Sequence, residues 1–423
     1  MNRPTLRIQK PSKWFSNKLP SEGNPISAYR FVVVGLMALL LFPGGLNLFV
    51  AGPITPFIME SYGIGNGQAS LLTSSVFLVQ AILAIPASTL ISRISLKKLI
   101  GVAGLLGSAP ALSVLNPDHF SFLLLLRILY GLSFAMLFST MGPLFIQWCH
   151  PRELTLANGI CILSASIGVA IAGFISVPLS EEVGWRTTLS VFGGLSLLAS
   201  IAWLAFGKEQ AFPQKTKNAN NPKNIWEVLR SRTTLLIAAG DAGPTALIAA
   251  LMAWLPTFYY TAYEIPLSTG GARLGLMALT GLICVVVVSV ISLRFTKKRP
   301  ILIIPGVMVG FAGLGTIFFA ESVWVYVFIM ALGVACWSYL PVLISIPMEL
   351  HSDDPNRVAI ILATLMAIGG VIGFAAPLIV GVLADITGSF IPGLTIFAIG
   401  SWSLGIAGRM MPETEVIQPY LPQ

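Results

Sequence analysis

The sequence predicts an all-α polytopic membrane protein, with twelve transmembrane helices in two pseudo-symmetric six-helix bundles. Three observations carry that expectation. Hydrophobic residues make up 55% of the 423-residue chain and charged residues only 10%. Apolar runs of about 20 residues, enough to cross a hydrocarbon layer of ~30 Å, recur along nearly all of it. The basic residues between the runs also fall on one side: with a cytoplasmic N-terminus, 22 of the 25 Lys and Arg lie in cytoplasmic segments. That bias marks the inner side of a membrane protein.

In chain order, a basic tail over 1–30 holds Arg3, Arg7, Lys10, Lys13, Lys18 and Arg30, and run one spans 31–59 with Pro43, Pro53 and Pro56 inside it. Run two, 67–92, ends at Arg93, Lys97 and Lys98. Run three, 99–116, stops before Asp118, and run four, 120–147, contains Arg127. Run five, 154–180, is bracketed by Pro151 and Gly184, and run six, 185–207, starts at Trp185-Arg186. Residues 208–232 form the longest polar interruption, rich in Lys, Asn and Pro. Run seven, 233–262, contains Asp241, and run eight, 270–293, ends at Arg294, Lys297, Lys298 and Arg299. Runs nine to twelve are 300–319, 322–348, 358–383 and 389–410, before a tail over 412–423. The outer segments hold Glu60, Asp118, Glu181, Glu182, Glu264, Glu321 and Asp385, with only Arg186 and Arg273 as cations. Both ends are therefore expected in the cytoplasm.

Charge placement also disposes of another partner class. A net charge of +8 and a pI of 9.4 suit a nucleic-acid binder, but membrane orientation already accounts for the basic residues, so no nucleic acid is expected. Composition makes the N-terminal tail a disordered extension, or a contact for the lipid surface. Cys149, Cys161, Cys284 and Cys336 lack metal-like spacing, and only His119, His150 and His351 are present. No nucleophile elbow, phosphate loop or metalloprotease helix is found, so the sequence nominates no enzyme chemistry, metal or cofactor. The expected partners are the bilayer and a small solute, with the chain a monomer.

The linker at 208–232 divides six runs, 31–207, from six, 233–411, and the halves share landmarks. Ser88, Ser92, Arg93, Ser95, Lys97 and Lys98 after run two recur as Ser289, Leu293, Arg294, Thr296, Lys298 and Arg299, shifted by about 201 positions. Pro151 and Gly184 recur as Pro355 and Gly388, shifted by 204. Paired six-helix repeats are a transporter architecture.

With these features the chain resembles the major facilitator superfamily over 31–410. The family's loop after helix two usually carries glycines and an aspartate. Here Ser88, Ser92 and Ser95 replace them while Arg93, Lys97 and Lys98 remain as a gating loop, so a latch there would be weaker or differently built. Arg127-x-x-x-Gly131 looks like the family's second motif, and Gly168, Gly173 and Gly184-Trp185-Arg186 look like its glycine-rich helix five and helix-six entry. Trp148 to Glu153, Leu156-Ala157-Asn158-Gly159, Ala253-Trp254-Leu255-Pro256 and Gly270-Gly271 are most similar to the cyanate-permease and nitrate/nitrite-porter branches. Ala84 before Ile85-Pro86, where nitrate porters place an arginine, argues against nitrate.

The resemblance implies a mid-membrane site lined by helices one, four, seven and ten. Intramembrane charges cost about 2.5–3.5 kcal/mol each on insertion scales and are functional candidates by default. Arg127 and Asp241 are the two, each ~12 Å deep at 1.5 Å per residue, from opposite faces. Arg127 either binds an anionic solute through its planar guanidinium or anchors helix carbonyls. Asp241 either carries a coupling proton or satisfies backbone amides freed at Gly240, Gly243 and Pro244. The depths leave ~6 Å between the two along the membrane normal, so a switchable Arg127–Asp241 pair is a third expectation. Asn47, Gln80, Tyr130, Trp254, Trp337 and Tyr339 are candidate solute contacts, each with a packing or helix-bonding alternative. Gly306/Gly310 and Gly369/Gly373 have close-contact spacing, and the prolines of runs one and ten are sites for kinks. Together these features imply a gradient-driven symporter in the bacterial inner membrane for a small anionic or polar solute, with protons as the candidate coupling ion. Two alternatives remain open. One is proton-driven efflux of amphipathic drugs, and the other a transporter-like sensor or lipid scramblase.

Overall fold

A computed structural model describes residues 28–83, 94–116, 118–150, 153–210, 227–228, 230–291, 299–350 and 355–411. The first six crossings are α1 (Tyr29–Phe49 and Ala51–Tyr62), α2 (Asn66–Ala69 and Leu71–Leu83), α3 (Leu96–Gly107, continued as a tighter helix over Ala109–Leu115), α4 (Phe120–Trp148), α5 (Leu154–Val183) and α6 (Trp185–Phe206). The second six are α7 (Arg232–Tyr263), α8 (Leu267–Ile291), α9 (Arg299–Phe318), α10 (Trp324–Ser338 and Leu340–Leu350), α11 (Pro355–Thr387) and α12 (Ile391–Gly400 and Ser403–Met410). Among the described residues, eleven helices are long and apolar enough to cross a membrane. The remaining crossing, expected over 67–92, is described only as far as Leu83, and residues 84–93 lie outside the described set. No strand occurs among the described residues. Hydrocarbon offers backbone groups no partners, so each segment must satisfy its own, which a helix does.

Proline places two of the helix breaks. Pro53 has no N–H to offer the Phe49 carbonyl, and α1 interrupts at Val50; Pro341 likewise fails Trp337, and α10 interrupts at Tyr339. Large apolar side chains stand outward, Leu198 at 65% and Ile406 at 62% exposure. Lipid tolerates such a surface and water does not.

Successive helices alternate in direction, so Tyr29 and Met411 lie on the same face, called here the near face. Gly184 after α5 and Gly388 after α11 end equivalent helices at the far face, with φ of +83° and +72°. This turn belongs to the 204-residue repeat.

The halves meet through α1 with α7, α2 with α11, and α5 with α8. Glycine permits the approach: a Cβ on Gly52 of α1 would lie 1.8 Å from the Met252 carbonyl oxygen of α7, and one on Gly173 of α5 2.6 Å from the Gly275 backbone of α8. The core follows, joining Phe49, Val50 and Ile54 to Leu251, Trp254 and Phe258 in one buried cluster. Gly373 packs on Phe77 across the halves, while Gly306 and Gly310 pack α9 onto α12. At the far face the halves are also tied by hydrogen bonds. Asp385 Oδ1 accepts from the Asn66 backbone N–H (3.0 Å) and side-chain amide (2.8 Å), and its Oδ2 accepts from the Gly67 N–H (2.7 Å).

The near face of the first half is held internally. Arg30 pairs with Glu153 at 3.1 Å, and Glu209 accepts from the Lys97 N–H at 2.7 Å. Ser88, Ser92, Arg93 and Pro151 lie outside the described residues. Lys97 and Lys98 form the first turn of α3, whose N-terminus is capped by Ser95 and by Glu209 from beyond α6. An acid thus does serve this loop, supplied from elsewhere in the chain. The four cysteines are free thiols, three of them buried. Burial and the Glu153 carboxylate push the half-buried Cys149 thiol up from its ordinary value.

Candidate functional site

Arg127 sits in the first half of α4, 2% exposed. Its Nε donates to the Leu72 carbonyl of α2 at 2.8 Å, and Nη1 donates to the Asn47 carbonyl of α1 at 2.6 Å. Nη2 has no partner, and the guanidinium lies 5.2 Å from the Tyr130 ring centroid. Tyr130, one turn on, donates its hydroxyl to the Gly44 carbonyl at 2.6 Å. Asn47 donates its amide to the Pro43 carbonyl at 2.9 Å and the Ser196 hydroxyl at 3.3 Å. One arginine and one tyrosine on successive turns therefore bind α4 to the carbonyls of α1 and α2.

Asp241 is 6% exposed within α7, which runs unbroken from Arg232 to Tyr263. The expected helix break at this point does not occur. Gly243 instead lets α7 approach α12, where a Cβ would lie 2.3 Å from the Gly400 carbonyl oxygen. Nor does Asp241 cap backbone amides: Oδ1 accepts from the Tyr339 hydroxyl at 2.8 Å and Oδ2 from the Thr245 hydroxyl at 3.1 Å. Tyr339 stands at the α10 interruption, so the proline-induced break positions the phenol. Beside it, Gly369 of α11 leaves room: a Cβ there would lie 3.5 Å from Oδ2.

The expected Arg127–Asp241 pair is not formed in this conformation, because each group is engaged within its own half. Among the described residues no ion pair reaches either. Other candidates separate similarly. Gln80 in α2 and Trp337 in α10 are half-buried, with Trp337 packed on Gly281 of α8. Trp254 is fully buried, donates to the Pro377 carbonyl of α11 at 2.8 Å and stacks on Phe390 at 5.0 Å. It packs the second half at the far face.

Sequence reasoning missed Thr245, one turn from Asp241 on the same helix face, which the spacing of four could have revealed. It also set Arg273 outside. Arg273 is buried in α8, donates to the Ala320 carbonyl at 3.0 Å and lies between the rings of Tyr259 and Tyr326 at 4.9 and 5.3 Å.

The sequence model of the Major Facilitator Superfamily matches residues 37–374. This chain belongs to the Major Facilitator Superfamily. The solved structure of a bacterial homologue of the human lysosomal transporter Spinster, inward-facing and unoccupied, has the same fold. Its TM-score is 0.72 at 14% identity, covering 94% of this chain and all of that one. A gallate transporter of Pseudomonas putida is 28% identical over 197 residues, 45% of this chain and 42% of its own length. A hexuronate transporter of Bacillus subtilis is 22% identical over 400 residues, 84% of this chain and 92% of its own. The chain spans about half the length of the first curated relatives it matches. The narrower likeness to cyanate permeases and nitrate/nitrite porters gains no support from these relatives. Trp254, which helped to suggest it, lies in the buried cluster shared by α1 and α7, and Pro256 packs on Gly270 of α8, so packing accounts for both.

Proposed function

We propose that this chain is a secondary transporter that moves a small organic carboxylate by alternating access, with a proton carried on Asp241. The observation that carries this reading is a pair of buried charges, Arg127 in the first half and Asp241 in the second, whose hydrogen-bond partners among the described residues are all neutral. Among the described residues Arg127 meets carbonyls and a tyrosine ring and no carboxylate, which leaves its surroundings positive and favours an anion. Asp241 is hydrogen-bonded, among the described residues, by hydroxyls, which can donate to its ionised form and accept from its protonated form. A proton and an anionic solute moving together would carry less charge through the low-dielectric interior than either alone.

In this reading Arg127 is an anchor that sets the field, and Asn47, Tyr130 and Trp254 are structural. Gln80 and Trp337 contact the solute beside the Asp241–Tyr339 pair. Segments 31–207 and 233–411 are the moving halves, 208–232 links them, and the near face is the cytoplasmic side of a bacterial inner membrane. The gallate and hexuronate relatives support a ring-sized carboxylate as the solute.

Proteoliposomes test the proposal with radiolabelled 4-hydroxybenzoate and glucuronate under an imposed gradient, alkaline inside. Accumulation of one of them is expected, and Asp241→Asn should abolish gradient-driven accumulation while sparing counterflow exchange. Uptake of neither probe, with proton-driven efflux of lipophilic cations instead, would establish the drug-efflux alternative. Binding without flux would identify a sensor.

A further inference from the structure

At the far face lies a cavity of about 350 Å³ that the transport reading does not use. Its walls come from both halves. Met59 of α1 and Asn66 of α2 face Thr257, Tyr260 and Thr261 of α7 and Phe390 at the start of α12. None of its lining residues among those described is charged. Thr257 is 4% exposed, and its hydroxyl has no hydrogen-bond partner. Tyr260 is 52% exposed and offers a ring edge and a phenol. One Asn66 amide hydrogen is committed to Asp385, whose carboxylate ties the two halves beside the cavity.

We propose that this cavity is a second binding site, for a small uncharged hydroxylated aromatic molecule, and that its occupant holds the far face closed. The size is at the lower end for small-molecule pockets, room for one ring and a few substituents. Phe390 and Tyr260 supply the aromatic walls, and Thr257, Thr261 and Tyr260 supply hydroxyls for hydrogen bonding. The lining offers an anion no cationic partner, while Asp385 beside it repels one. This chemistry differs from that of the proposed carboxylate. The conformational consequence follows from where the walls come from. Opening the far face separates α1 and α2 from α7 and α11, and takes the two sides of the cavity apart. A ligand that fits the assembled cavity therefore binds the closed form preferentially and shifts the population toward it. It would inhibit transport from the far side without occupying the solute's site.

Equilibrium dialysis of the purified full chain with radiolabelled 4-hydroxybenzamide tests this without reference to transport, so it stands or falls apart from the transport reading. Saturable binding is expected, reduced at least five-fold by Thr257→Val and by Tyr260→Ala, and not displaced by excess 4-hydroxybenzoate. Thr257→Val is near isosteric and Tyr260 is half exposed, and unchanged unfolding temperatures would show that both variants fold. Asp385→Asn weakens the tie between the halves and should lower affinity too. The proposal is overturned by wild-type affinity in both wall variants, by competitive displacement with 4-hydroxybenzoate, or by no binding at millimolar probe. Tighter binding in Asp385→Asn would overturn its link to closure.

Discussion

The Tyr339 hydroxyl of α10 donates a 2.8 Å hydrogen bond to the Asp241 carboxylate of α7, joining residues 98 positions apart inside the second half. Among the described residues Thr245 is the other donor to this buried carboxyl. Tyr339→Phe should lower stability by about 1–3 kcal/mol, the cost of leaving a buried charged acceptor short of a partner. In an Asp241→Asn background the same change should cost appreciably less. Thermal unfolding of the four proteins in detergent gives the coupling energy. Strictly additive losses would show that the two side chains do not act together.

Arg127 yields a prediction that separates anchoring from solute binding. Its Nε and Nη1 satisfy carbonyls on two different helices. Arg127→Ala should therefore destabilise the solute-free protein by about 1–3 kcal/mol through the loss of hydrogen bonds from a charged donor. Arg127→Lys should restore only part, because one ammonium lacks the fork that spans both. The readout is the unfolding temperature without solute. An unchanged temperature in both variants would reassign Arg127 from the scaffold to the solute.

Trp254 should behave as a packing residue. Trp254→Phe removes the donor to Pro377 while keeping a ring against Phe390. A loss of about 1 kcal/mol in stability is expected, with the KM for any transported solute unchanged. A several-fold rise in KM would place the indole in the solute's path instead.

The helices and the repeat were legible because lipid imposes a simple rule: each crossing is a long apolar run, and the loops between carry the charge. Pro53 and Pro341 announced breaks in α1 and α10 for an equally local reason. The site was legible only as a pair of unusual residues. Arg127 and Asp241 stood out because charge is costly in hydrocarbon, but sequence holds no record of helix rotation, and the pair expected between them does not form. Asp385 was visible only as an outer acid, since its partners Asn66 and Gly67 lie 319 and 318 positions away. Contacts between the halves depend on how they dock, which no local pattern encodes.

Gly52 offers a test of docking itself. A Cβ there would meet the Met252 carbonyl oxygen at 1.8 Å, so Gly52→Ala must push α1 and α7 apart at the far face. Backbone on both sides cannot yield as a flexible side chain would, so the population should move toward a form open at that face. Thr257→Cys reports on the shift. Position 257 is 4% exposed in the closed form, and a cysteine there should label slowly with a membrane-impermeant maleimide. Labelling at that site should accelerate at least ten-fold when Gly52→Ala is added. Gly35→Ala, where a Cβ meets nothing within 4 Å, should leave the rate unchanged. Slow native cysteines and site-resolved mass spectrometry keep the background low. Equal labelling with and without Gly52→Ala, in protein that still unfolds cooperatively, would show that α1 and α7 do not part there, and that the halves do not move as described.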